Sequence, residues 1–156
     1  KRMSFRESMY GIFVSNQLLR DVIKEQTQRT VMMGQICMIE TFLANKALQV
    51  RLLKDGETWE SQTFLTNTEN CVLTISEKLW PYIAAISSPQ ERVKLAKNKS
   101  LCEKLKTVSK DMTVGFVDAD DVKLGKIKFM GQVKGIGHCY GLEMHVSCNS
   151  FFKFII

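Results

Sequence analysis

No apolar run in this chain is long enough to cross a bilayer. The longest apolar-leaning stretch, residues 31–43, is interrupted by Gln35 and Glu40. It falls short of the roughly 20 residues that a spanning helix requires. No signal peptide is expected either, since Lys1 and Arg2 run into mixed polar sequence without an apolar segment. The five cysteines, Cys37, Cys71, Cys102, Cys139 and Cys148, contain no C-x-x-C pair. Their odd number and wide spacing do not make a secreted disulfide scaffold. The expectation is a soluble, cytoplasmic protein whose reduced thiols pack as small hydrophobes. Phosphate-binding runs are missing as well: Gly125-Lys126 and Gly131 lack P-loop spacing, and Gly135-Ile136-Gly137 stands without the rest of a dinucleotide fingerprint. No repeat, low-complexity segment or RNA-binding signature interrupts the chain.

What is present is ordinary globular material. The chain has 156 residues, 45% hydrophobic and 24% charged, which suits one domain or one domain with a small module. A formal charge of +6 is unevenly spread. Between Glu91 and Lys110 stand Arg92, Lys94, Lys97, Lys99, Lys104, Lys106 and Lys110, opposed only by Glu91 and Glu103. Such a patch attracts an acidic partner at long range. Its plainer reading is the solvated face of a helix packed through Val93, Ala96, Leu101 and Leu105. Lysine clusters bind anions without specific geometry, but no aromatic residues interleave here, so an acidic protein is favoured over nucleic acid.

Along the chain, Leu18, Leu19, Val22 and Ile23 fall on one helical side behind Ser15, predicting a helix over residues 15–30. Residues 31–43, with their methionines, read as its continuation after Gly34. The period then changes. Residues 47–53 alternate, Lys54-Asp55-Gly56-Glu57 is a hairpin signal, and residues 58–65 and 71–75 complete a three-stranded antiparallel sheet. Ser76 suits the cap of a helix over 77–86, in which Pro81 at the fifth position predicts a kink or a tightened first turn. Ser88-Pro89-Gln90-Glu91 is a capping box with proline at the first helical position, opening a basic helix to about Lys106.

Glycine is concentrated in residues 112–145, at Gly115, Gly125, Gly131, Gly135, Gly137 and Gly141. Val114 and Phe116, then Leu124, Ile127 and Phe129, read as strands about the polar turn Asp118-Ala119-Asp120-Asp121. Glycines within strands mark bends and close backbone approaches, so a small, strongly bent sheet is expected. One chemical alternative is a zinc- or cysteine-dependent site using His138, Cys139, His145 and Cys148. Its spacing is poor, because adjacent strand residues face opposite ways.

The run Gly125-Lys126-Ile127-Lys128-Phe129-Met130-Gly131, the loop with Gly135 and Gly137, and Tyr140-Gly141-Leu142-Glu143-Met144 resemble the first half of a CAP-Gly domain. Upstream, residues 79–86 (LWPYIAAI) and 87–99 (SSPQERVKLAKNK) resemble the segment before the first such module in cylindromatosis-type deubiquitinases. Gln26-Thr27-Gln28-Arg29 is compatible with the same amino-terminal region. The likeness covers most of residues 10–145. The chain departs from the family after Met144, where the Gly-Lys-Asn-Asp-Gly segment that reads peptides is absent. Cys139 replaces a groove aromatic.

The fold so implied is α+β: a small antiparallel sheet with flanking helices over 1–107, an incomplete SH3-like CAP-Gly module over 108–145, and a divergent apolar tail over 146–156. The tail, strand-prone and charged only at Lys153, is expected to arise from an alternative continuation of the transcript and to be an aggregation hazard unless it folds back. The resemblance implies a non-catalytic piece of a ubiquitin-pathway regulator of inflammatory (NF-κB) signalling, whose thiol-dependent hydrolase domain lies beyond these residues. It implies no cofactor or metal. Implied partners are tubulin, an acidic-tailed protein or an adaptor, with a cytoskeletal association. Gly125, Phe129, Gly131, Gly141 and Glu143 would be framework, and Lys126, Lys128 and Tyr140 contacts.

Overall fold

The computed structural model describes residues 9–56, 58–66, 69–118, 121–134, 137–144 and 150–152. The chain divides into two compact units, residues 1–80 and 81–156, upstream of the boundary near 107 expected from the sequence.

The first unit is a seven-stranded antiparallel sheet. Its strands are β1 (Met9–Phe13), β2 (Gln17–Asp21), β3 (Gln28–Val31), β4 (Ile36–Phe42), β5 (Leu48–Lys54), β6 (Thr58–Leu65) and β7 (Val72–Ile75), in spatial order β3-β2-β6-β5-β4-β1-β7. Strands, not helices, occupy residues 15–43, which corrects the helical reading. Leu19 and Asp21 are buried, whereas Leu18 is 46% and Ile23 87% exposed. Burial therefore follows a period of two over β2, and the spacing that mimicked a helical face joins residues with opposite environments.

The hairpin between β5 and β6 forms as expected, with Lys54 opposite Thr58. Asp55 (φ 52°) and Gly56 (φ 73°) take the left-handed backbone that a tight reversal demands. The third expected strand, β7, pairs with β1 and not with β6. β1 thus lies between β4 and β7, and the anticipated three strands are part of a wider sheet. Phe13, Leu19, Leu48, Val50, Leu52 and Phe64 form the centre of its core.

Helix α1 (Trp80–Ala85) starts later than expected. Pro81 therefore sits in its first turn, where the missing amide breaks no helical bond. Helix α2 (Pro89–Lys97) begins on the predicted cap, with Ser88 Oγ accepting from Glu91 N at 3.3 Å. The basic helix does not run unbroken. Asn98 (φ −85°, ψ 84°) closes α2 and caps α3 (Lys99–Lys106), its Oδ1 accepting from Leu101 N at 3.0 Å. A short side chain that bonds nearby amides competes with helix continuation.

The second unit's sheet comprises β8 (Thr113–Asp118), β9 (Asp121–Val133), β10 (Gly137–Met144) and β11 (Ser150–Phe152), in order β11-β10-β9-β8. β8 and β9 join with Asp118 opposite Asp121, as the aspartate-rich turn predicts; its central residues 119 and 120 lie outside the described residues. Part of the apolar tail folds back, since Ser150–Phe152 pairs antiparallel with Leu142–Tyr140. Residues 145–149 and 153–156 lie outside the described residues. The chain is mixed α and β, with antiparallel sheets. No described helix is long and apolar enough to cross a membrane.

Candidate binding face of the second unit

The face is shaped by one irregularity. On β10, Gly141 stands opposite Phe129 and Leu142 opposite Ile127, leaving Lys128 as an extra residue on β9. This β-bulge resets the alternation. Before it, Gly125 and Ile127 are buried. After it, Met130 packs on the core cluster of Ile127, Tyr140 and Leu142. Lys128 and Phe129 consequently both lie outward, and Phe129 is 38% exposed.

Gly131 and Gly141 keep this outward face thin. The Phe129 ring lies 3.1 Å from where a Gly131 Cβ would stand. Gly141 faces Phe129 across the strand pair, and Cys139 faces Gly131. The result is an aromatic ring set against backbone, with Gly141 and Cys139 on β10 themselves buried. Gly125 has a different task. A Cβ there would stand 3.2 Å from Leu142 Cβ and 3.2 Å from Met144 Sδ, so the hydrogen admits packing beneath the sheet.

Charge gathers on the same outward face. Lys126 is opposite Glu143, and Lys128 Nζ lies 3.3 Å from Glu143 Oε2 and 3.5 Å from Asp111 Oδ1. Hydrogen bonding and attraction from Glu143, with a smaller contribution from Asp111, raise the Lys128 ammonium above the usual lysine range. Asp111 was not singled out by sequence. Its left-handed backbone (φ 71°) accompanies a bond from its amide to Ile127 O at 2.7 Å, which brings it beside β9. Aspartate's tolerance of that conformation was the only available signal.

Tyr140 belongs to the framework rather than to the contacts. It is buried and stacks on Tyr82 with ring centroids 5.0 Å apart and planes 9° from parallel. Burial, reinforced by the Tyr82 hydroxyl, raises its phenol far above the ordinary value. Arg92 likewise leaves the basic patch. Its Nε donates to Ile86 O at 2.5 Å and its Nη2 to Ala84 O at 3.1 Å, and burial lowers its pKa. It secures the carbonyl end of α1, which is a structural duty. Lys94, Lys97, Lys99 and Lys104 remain exposed on α2 and α3, whereas Lys106 is half-buried and pairs with Glu103 at 2.7 Å.

The cysteine and metal readings meet unfavourable surroundings. Cys37, Cys71, Cys102 and Cys139 are buried and form no disulfide among the described residues. Desolvation raises the thiols of Cys37, Cys102 and Cys139, the opposite of nucleophile activation. His138 and Cys139 are neighbours on β10, while His145 and Cys148 lie outside the described residues. Among the described residues, no group of three or more His, Cys, Asp or Glu is placed to hold a metal. No family model, curated protein or solved structure matches this chain.

Proposed function

We propose that this chain is a non-catalytic binding region of a cylindromatosis-type deubiquitinase, and that its second unit is a CAP-Gly-like module for tubulin or an adaptor protein. The observation that carries the reading is the outward face of β9 and β10. An exposed Phe129 ring lies over Gly131 and opposite Gly141, with Lys126, Lys128 and Glu143 alongside. Such a face offers a peptide an aromatic surface and orients it by charge. The motifs of residues 79–99 and 125–144 supply the family assignment. Cleavage of ubiquitin linkages would belong to a catalytic domain outside these residues.

The lysines of α2 and α3 contribute long-range attraction to an acidic partner, a term that salt screens. Co-sedimentation with polymerised tubulin at low and high salt separates the two contributions. Phe129→Ala is compared with a version carrying Lys94→Glu, Lys97→Glu and Lys99→Glu. Binding that withstands high salt and charge reversal but falls with Phe129→Ala supports recognition by the sheet. Loss on charge reversal with no effect of Phe129→Ala would refute it, as would absence of binding by the parent chain.

A further inference from the structure

The first unit contains a pocket that the proposed function does not use. Arg20, Leu43, Asn45, Ala47, Leu65 and Thr66 line a volume of about 170 Å³. At roughly 30 Å³ per water, this is room for a small organic ion.

Strand register explains why these residues meet. Arg20 on β2 is the partner of Leu65 on β6, and Leu65 is also opposite Gln49 on β5. The turn between β4 and β5 closes through Leu43 N to Ala47 O at 2.9 Å and Lys46 N to Leu43 O at 3.0 Å. Thr66 is joined to β5 in both directions: its amide donates to Leu48 O and its Oγ1 accepts from Leu48 N, each at 2.9 Å.

These bonds leave donors available. Thr66 is only 3% exposed, and its hydroxyl proton has no acceptor among the described residues. Asn45 commits its Oδ1 to Ala47 N at 3.1 Å, leaving the amide protons of Nδ2. Arg20 has no ion pair among the described residues. Among the described residues no carboxylate lines the pocket, and Leu43, Ala47 and Leu65 make its apolar part.

We propose that this pocket binds a carboxylate bearing a short apolar group. The planar guanidinium of Arg20 takes the two carboxylate oxygens, the geometry that fork suits best. Asn45 Nδ2 and Thr66 Oγ complete the donor set, and the apolar stem rests on Leu43, Ala47 and Leu65. Charge selects this ligand over a phosphate monoester. One guanidinium balances one negative charge, and a dianion would keep an uncompensated charge against an apolar wall. Free short-chain acids and the terminal carboxylate of a peptide share this chemistry.

Two-dimensional NMR of the isotope-labelled chain tests the assignment with butyrate, inorganic phosphate, dialanine and dialanine amide. Butyrate is expected to shift the Asn45 side-chain amide and the Ala47 and Thr66 backbone amides saturably, with a Kd of about 1–10 mM. Arg20 is exposed, so Arg20→Ala should fold and weaken binding at least about tenfold. Arg20→Lys, which keeps the charge but not the fork, should recover only part of the loss. Binding of dialanine without its amide identifies a chain terminus as the source, and binding of butyrate alone identifies a free acid. The proposal fails if shifts are unsaturable, if phosphate binds as tightly as butyrate, or if Arg20→Ala changes nothing.

Discussion

The ring of Phe129 and the backbone of Gly131 are neighbours with no side chain between them: the place of a Gly131 Cβ is 3.1 Å from the ring's Cζ. Gly131→Ala should therefore displace the ring by a few tenths of an ångström. The ring is on the outward face and 38% exposed, so the stability change should stay within about 1 kcal/mol. Gly125→Ala meets Leu142 Cβ, an atom fixed to the backbone, and should cost about 1–3 kcal/mol. Urea denaturation of both variants checks the ordering. Equal losses would show that the Phe129 ring is held as firmly as Leu142 Cβ.

Asp21 should make the first unit sensitive to acid. Its carboxylate is held below the usual range chiefly by the amide of Lys24, then by the Gln62 side chain and the amide of Ile23. Because the folded pKa is depressed, this stabilisation is fully present above the unfolded value of roughly 3.9 and disappears as pH falls through the folded value. The denaturation midpoints of the parent chain and Asp21→Asn should differ at pH 6 and converge towards pH 2. A pH-independent difference would remove the carboxylate's charge from the explanation.

Cys37 should resist alkylation in the native state. Burial foremost, and the neighbouring Cys71 sulfur, raise its thiol far above a free cysteine. Cys102 and Cys139 are also buried with raised thiols. Mass spectrometry after iodoacetamide treatment at pH 8 should find each modified at least about 100-fold more slowly than in urea. Rapid native labelling of Cys139 would revive the nucleophile reading.

Ser88 and Asn98 should each matter as caps. Ser88→Ala and Asn98→Ala remove the oxygen acceptors for Glu91 N and Leu101 N, and each should cost about 1 kcal/mol. Asn98→Ala has an additional consequence, because alanine favours joining α2 and α3 into one helix. Increased helical circular dichroism with reduced stability would register both effects. Neither change occurring would mean that packing, and not the asparagine, sets the break.

Local chemistry was legible where a residue had one physical use. Ser88-Pro89 announced a helix start, Asp55-Gly56 a reversal, and Asp118 with Asp121 the ends of a second one. Misreading occurred where periodicity had two solutions. Leu18, Leu19, Val22 and Ile23 satisfy a helical stripe on paper, yet β2 buries Leu19 and leaves Leu18 exposed. The methionines of residues 31–43 added apolar weight without distinguishing helix from strand. Pairing of β7 with β1 joins residues some 60 positions apart along the chain, and no local pattern specifies such a partner. The candidate face was legible as a set of glycines, an aromatic and lysines. Its orientation was not, because the bulge at Lys128 reverses which alternate residues face outward.

That bulge gives β9 two phases, much as a splice joins two messages read in different frames. Removing Lys128 would leave every flanking side chain facing as it does now, because Ile127 opposite Leu142 and Phe129 opposite Gly141 are already consecutive pairs. It is pairing Lys128 in regular register that would turn Phe129 inward and Met130 outward, exchanging the exposed ring for a flexible thioether. Deletion of Lys128 should thus preserve the outward ring and remove only the lysine's ion pairs to Glu143 and Asp111. Sequences compared across this position can differ by this one residue and still match side chain for side chain on either side.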